Sequence, residues 1–231
     1  MTLNKLVLPP KKLHTPSVQQ SHFSKDMTPL YWTQAIQELA TCDKVMHQLI
    51  RQFEDAALTS RGCAFTTLAR SIVGQQISVK AAESVWQKVI RTIPDMTPHT
   101  IAAAEQDLLR TCGLSARKIT YLQDLSRHFT EGSLNETSWI DRDDETIIQQ
   151  LTEVKGIGRW TAEMFLIFHL QRPDVLPLDD IGLQRAISQH YYDKQPVDKK
   201  TMLELAKPWQ PWRSVATWYL WRSLDPLPVA Y

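Results

Sequence analysis

Two short stretches hold residues whose types and spacing could do chemistry. Asp179-Asp180 follows Pro177 and opens a helical pattern that runs from Ile181 to about Tyr191. A carboxylate at a helix start faces the positive end of the dipole and the unpaired first-turn amides, which favours its charged form. A charged carboxylate can steady a developing cation or take a proton from water. Taken alone, the pair reads equally well as an N-cap and a first-turn acid.

The second stretch is Gly156-Ile157-Gly158, where apolar Leu151, Val154 and Ile157 lead in and Trp160, Ala162 and the run Met164 to Leu170 lead out. This predicts helix, tight turn, helix. Glycine tolerates positive φ and lets another backbone approach closely. The first-turn amides of the second helix can hold a phosphate oxygen, with Lys155 and Arg159 adding charge and Thr161 a hydroxyl. The alternative is a glycine C-cap joining two core helices.

The elements that must position these residues are helical. Stripes at 3–4 spacing run through Leu30, Ile36, Leu39 and Ala40; Val45, Met46, Leu49, Ile50 and Phe53; and Phe65, Leu68, Ala69, Ile72 and Val73, the last stopped near Gly74. Ser78 can cap a helix carrying Ala81, Ala82, Val85, Trp86, Val89 and Ile90. One helix is expected over Ile101–Arg110, ended by Gly113 as a C-cap, and the next carries Ile119, Leu122 and Leu125. Helices over Glu145–Thr152 and Trp160–Leu170 flank the glycine pair, and others run over Ile181–Tyr191 and from about Val215 to Leu224. Alternating β patterning is nearly absent, so the class is all-α. Residues 1–27, with Pro9, Pro10 and Pro16, read as a tail or strap.

Composition narrows the rest. The chain has 231 residues, 26 Lys+Arg against 25 Asp+Glu, and a net charge of +1. It is not a heavily basic nucleic-acid coat, although a local patch could still hold nucleic acid. Its 7 glycines form neither a GxGxxG fingerprint nor a phosphate loop of the GxxxxGK[ST] type. Cys42, Cys63 and Cys112 are odd in number and lack a CxxC, which fits a reducing compartment and no cysteine-rich metal site. No apolar run suits a signal peptide or a membrane span of about 18 residues, so a soluble protein is expected. Most of the 8 tryptophans should be core, yet Trp209, Trp212, Trp218 and Trp221 crowd one segment with Lys207, Arg213 and Arg222.

With these residues in place, LTEVKGIGRWTAEMF (151–165) followed by VLPLDDIGLQRAI (175–187) resembles the hairpin and aspartate signature of the helix-hairpin-helix DNA glycosylase superfamily. FTTLARSIVGQQISVKAAESVW (65–86), CGLSARKITYLQDLS (112–126) and KPWQPWRSVATWYLW (207–221) agree in order, so the resemblance covers about residues 40–224. Within the superfamily the chain is most similar to the 3-methyladenine DNA glycosylase II group. The resemblance implies a compact two-lobed fold in residues 28–231. The middle lobe would span about residues 65–165, the other about 28–64 plus 166–231, with a cleft between them.

The resemblance also implies roles. Asp180 matches the catalytic carboxylate, with Asp179 as the cap. Trp160 and Trp221 match positions lining the base pocket, where an electron-rich face favours a cationic alkylated purine. Met164 and Ile181 stand where bacterial relatives carry aromatic residues, implying a differently shaped pocket. Gln76, beside Gln75 in the turn after Gly74, matches the wedge that fills the gap left by a flipped base. Gly156, Gly158, Lys155, Arg159 and Thr161 would contact DNA. The main-chain oxygens of Thr152, Val154 and Ile157 would hold a structural sodium or potassium ion, with no cofactor required. The lysine used by bifunctional relatives to cut the backbone is replaced by Trp160, so a monofunctional enzyme leaving an abasic site is expected, with Lys155 close by.

The expected activity is hydrolysis of alkylated purines from double-stranded DNA, chiefly 3-methyladenine, with 7-methylguanine open. The protein would act as a monomer in base excision repair, in the cytoplasm at the nucleoid of a bacterium or in a eukaryotic nucleus. The alternatives are excision of another damaged or mismatched base, a DNA-binding module without chemistry, and a helical scaffold with an accidental glycine turn.

Overall fold

Helical periodicity becomes twelve α-helices and no strand among the residues described by the computed structural model, 28–60 and 62–224. The expected tail over residues 1–27 lies outside the described residues. The helices are α1 (Trp32–Cys42), α2 (Lys44–Gln52), α3 (Ala64–Gly74), α4 (Val79–Thr92), α5 (Pro98–Ala103) and α6 (Gln106–Thr111). They continue as α7 (Ala116–Thr130), α8 (Asp144–Thr152), α9 (Arg159–Phe168), α10 (Ile181–Tyr191), α11 (Lys199–Leu205) and α12 (Arg213–Leu224). Two single 3₁₀ turns, Glu136–Trp139 and Lys207–Trp209, complete the described elements.

Short polar side chains start many of these helices by accepting otherwise unpaired amides. Asp43 accepts from Val45 and Met46, Ser78 from Ala81, Ser115 from Lys118, Asp143 from Thr146 and Asp198 from Thr201. Gly113, at φ +93°, follows α6 and donates to Arg110 O at 2.9 Å, the expected C-terminal stop. The single helix expected over Ile101–Arg110 is two. Ala104 and Glu105 both take extended backbone, with ψ 133° and 137°, and α6 restarts at Gln106. No glycine or proline marks that break, so the pattern gave no warning of it.

Helices α3 to α9 pack among themselves: α3 on α4, α7 and α9; α7 on α5 and α6; and α8 on α9. A second set joins α1, α2 and α10 to α12, and the turn at Lys207–Trp209 packs on α1 and α11. Two helices carry no exposed face to speak of. Thr161 to Ile167 of α9 and Ser214 to Leu220 of α12 are buried throughout, which accounts for apolar runs without a polar stripe. Trp32, Trp86, Trp139, Trp209 and Trp218 are core residues. Trp160 is 37% exposed and Trp221 is half-buried. No described helix is long and apolar enough to cross a membrane.

The N-cap of α10 receives side chains from the first turn of α9 and from α12. That junction holds the residues with chemistry.

Candidate active site

Asp180 is the N-cap of α10, with φ −75° and ψ 116°, and is only 8% exposed. Its Oδ1 accepts the backbone amide of Leu183 at 2.6 Å and the indole N–H of Trp221 at 2.7 Å. Its Oδ2 accepts the indole N–H of Trp160 at 2.8 Å. Donors from α9, α10 and α12 thus fix both oxygens of one carboxylate. This corrects the expected division of labour between the two aspartates. Asp179 does not cap the helix; it lies exposed and pairs with Lys199. Capping falls to Asp180, whose extended backbone aims its side chain at the N3 amide of Leu183.

Gly182 is the residue that sequence reasoning missed here. A Cβ on it would lie 3.0 Å from Asp180 Oδ1 and 3.2 and 3.3 Å from the Trp221 indole. The missing side chain leaves room for the Trp221–Asp180 bond. A glycine in the first turn of a helix is unfavourable by propensity, and that was the legible signal. The Trp221 ring is stacked on Phe168, centroids 5.7 Å apart and planes 13° apart, which orients its N–H.

The glycine pair forms the expected turn between α8 and α9. Gly156 has φ +85°, and a Cβ there would lie 2.2 Å from the Tyr121 ring, so both backbone angle and space demand glycine. Gly158 is the N-cap of α9 and supplies no side chain to its first-turn amides; a Cβ there would meet nothing within 4 Å among the described residues. The helix start is therefore open to an anion.

Arg159 is forked onto Glu145 at 2.8 and 2.9 Å and also donates to Glu163 at 3.0 Å, while its side chain stays exposed. Burial pushes the Glu163 carboxyl up while Arg159 opposes it, and Glu163 Oε2 is buried with no hydrogen-bond partner among the described residues. Thr161 is 7% exposed and lines a cavity rather than the hairpin mouth. Lys155 is exposed, and its amide donates to Asp124 Oδ2 at 2.8 Å. Val154 O accepts the amide of Ile157 at 3.1 Å.

A cavity of about 840 Å³ opens beside the hairpin. Trp160, Thr161 and Met164 form one side, Gln75 and Gln76 another, and Lys118 and Tyr121 of α7 a third. All its lining residues fall between Arg70 and Met164, within the α3–α9 set. Ile181 does not line it and is 78% exposed, because the N1 position of α10 points away from the Asp180 cap. Trp221 is also outside the lining; it reaches the site through Asp180. Trp160 is the shared element, with its ring in the cavity wall and its N–H on the carboxylate.

The proposed wedge turn has two differently placed glutamines. Gln76 is exposed at φ +59°, with its Oε1 accepting from Arg117 Nη2 at 3.0 Å. Gln75 turns inward and donates from Nε2 to Gly156 O at 2.8 Å. Lys118 Nζ donates to Val73 O at 2.6 Å, and burial, with the nearby Arg117 charge, pushes its pKa down.

The family model described as HhH-GPD superfamily base excision DNA repair protein matches residues 69–211, and the chain belongs to that superfamily. A putative DNA-3-methyladenine glycosylase of Bacillus subtilis is 34% identical over 169 residues, covering 70% of this chain. The chain spans 59% of the length of that relative. The fold is close to a DNA-3-methyladenine glycosidase of Bacillus halodurans, with a TM-score of 0.75 at 34% identity over 83% of this chain and 89% of that one. It is also close to a Schizosaccharomyces pombe 3-methyladenine DNA glycosylase solved in complex with abasic DNA. There the TM-score is 0.70 at 28% identity, over 85% of this chain and all of that one.

Proposed function

We propose that the protein is a monofunctional DNA glycosylase that hydrolyses the N-glycosidic bond of alkylated purines in double-stranded DNA. 3-Methyladenine is the chief substrate and an abasic site the product. The observation that carries this reading is the Asp180 carboxylate, held through both oxygens by Trp160 and Trp221, with the Trp160 ring forming a wall of the cavity. The names of the relatives, and the abasic DNA bound by the fission-yeast structure, support it.

The first-turn amides of α9 and the exposed Lys155 hold a phosphate beside the lesion. Gln76 enters the duplex as the purine leaves, and the purine settles against Trp160 and Met164. Extrusion costs a few kcal/mol, which the wedge and pocket contacts offset. A purine methylated at ring nitrogen is cationic, so the Trp160 face favours it and it departs without being protonated. As the C1′–N bond breaks, its electron pair goes to the base and the sugar becomes oxocarbenium-like. Asp180 stabilises that cation and orients the water whose oxygen bonds C1′, accepting the proton released. Trp160 occupies the position of the Schiff-base lysine of bifunctional relatives, so the strand is left uncut. The protein acts as a monomer.

Three neutral carbonyls, of Thr152, Val154 and Ile157, suit a monovalent ion. Val154 O has one internal donor and keeps a lone pair for it. Such an ion would add positive charge for phosphate at the hairpin.

The experiment is a panel of duplexes, each with one lesion, incubated with excess protein. Release of 3-methyladenine with an alkali-labile abasic site supports the reading. Release of only an oxidised or mismatched base, or of none, contradicts it. A borohydride-trapped adduct contradicts the monofunctional part.

A further inference from the structure

The wedge turn and the phosphate-gripping hairpin are some eighty residues apart in sequence, yet one helix holds both. Side chains at successive turns of α7 do so. Arg117 donates to Gln76 Oε1 at 3.0 Å, and Lys118 donates to Val73 O at 2.6 Å, in the last turn of α3 before the wedge. One turn on, the Tyr121 ring packs against Gly156, and one turn further Asp124 accepts the amide of Lys155 at 2.8 Å. These positions share a face because residues three and four apart are neighbours on a helix. Gln75 closes the circuit directly, its Nε2 on Gly156 O at 2.8 Å.

Gln76 itself sits at φ +59°, a conformation that a non-glycine residue keeps only where neighbours enforce it. A wedge must enter the duplex at a fixed distance from the phosphate that anchors the protein. We infer that Gln75 is a positioning residue that locks the wedge Gln76 to the hairpin, so that gripping the backbone and filling the gap behind the flipped base are one mechanical event. This rests on the glycosylase reading. Gln75 then acts on extrusion more than on bond cleavage, and its loss is felt most where extrusion is most costly.

The test compares 3-methyladenine excision from two duplexes under single-turnover conditions with saturating protein. In one the lesion is paired with thymine; in the other it faces an abasic analogue, so it is already unpaired and cheaper to extrude. The readout is the ratio of the unpaired to the paired rate. Gln75→Met keeps the volume and removes the donor, and it is expected to raise that ratio about tenfold over wild type. Arg117→Met releases Gln76 from the α7 side and is expected to raise it in the same direction, so it decides the matter if Gln75→Met has no cooperative thermal transition. A ratio within threefold of wild type in the folded variants would overturn the role. Failure of the wild-type protein to release the base from either duplex would instead overturn the glycosylase reading beneath it.

Discussion

Trp221 Nε1 donates to Asp180 Oδ1 at 2.7 Å, onto the same oxygen that accepts the Leu183 amide at 2.6 Å. The cap of α10 and the proposed catalytic carboxylate are therefore one group. A cap satisfied by a single backbone bond would leave the side chain to turn about it; the two indoles remove that freedom. The helix start and the flanking tryptophans preorganise the charge before DNA arrives, as electrostatic stabilisation of a developing cation requires.

Trp221→Phe tests the fixing of that carboxylate. The ring keeps its place on Phe168, and the N–H donor is lost. A hydrogen bond to a charged group contributes about 1.5–3 kcal/mol. Single-turnover excision should fall roughly ten- to hundredfold on that scale, with affinity for an abasic duplex little changed. Equal loss of affinity and rate would place Trp221 in binding rather than in orientation.

Gly182→Ala separates activity from stability. Alanine is favoured over glycine in a helix by about 1 kcal/mol, which offsets the similar cost of crowding the Asp180 cap, so the melting temperature should stay close to wild type. The added Cβ crowds Asp180 Oδ1 and the Trp221 indole. Excision should drop tenfold or more in a protein of near wild-type stability. Full activity would show that the carboxylate and indole tolerate displacement.

Gly156→Ala should behave oppositely, with stability as its first casualty. The positive φ costs about 1–2 kcal/mol, and displacing the Tyr121 ring about 1–3 kcal/mol more. Measured in a Tyr121→Ala background, the further cost of Gly156→Ala in urea unfolding should shrink to the backbone share. An undiminished cost would mean that the ring is not what occupies the space.

The Asp124 carboxyl gives the hairpin a pH dependence. Burial opposes its charge, but the hydrogen bonds from the Lys155 amide and Arg127 and the charges of Arg127 and His128 outweigh that, holding it below the usual range. A depressed acid contributes stability that is fully present above its unfolded value, about 3.9, and lost as pH falls through the folded value. Wild type should thus lose more stability than Asp124→Asn between pH 5 and the acid limit near the folded value. Parallel acid limbs for the two proteins would contradict it.

Much of this was legible because helices announce themselves through spacing and caps. Ser78 starts a helix and Gly113 stops one where their chemistry says they should. The glycine pair lay where backbone approach matters, and resemblance singled out Asp180, Trp160 and Trp221, which the fold brings onto one carboxylate. What stayed hidden depends on contacts between distant segments. Glu163, four residues on, is a local partner for Arg159, but nothing local to Arg159 says that Glu145 will pair with it from α8. Nothing local to Ile181 says that capping by Asp180 turns the next side chain to solvent, 78% exposed. Arg117, Lys118 and Tyr121 of α7 meet Gln76, Val73 and Gly156, all in segments far from them in sequence.

The most direct measurement is single-turnover release of 3-methyladenine from a duplex by wild type and by Asp180→Asn, with affinity for an abasic-analogue duplex measured alongside. The expected result is rapid release by wild type, loss of at least a hundredfold in the variant, and affinities within a few-fold of each other. Near-wild-type release by Asp180→Asn would contradict the assignment of the chemistry to that carboxylate.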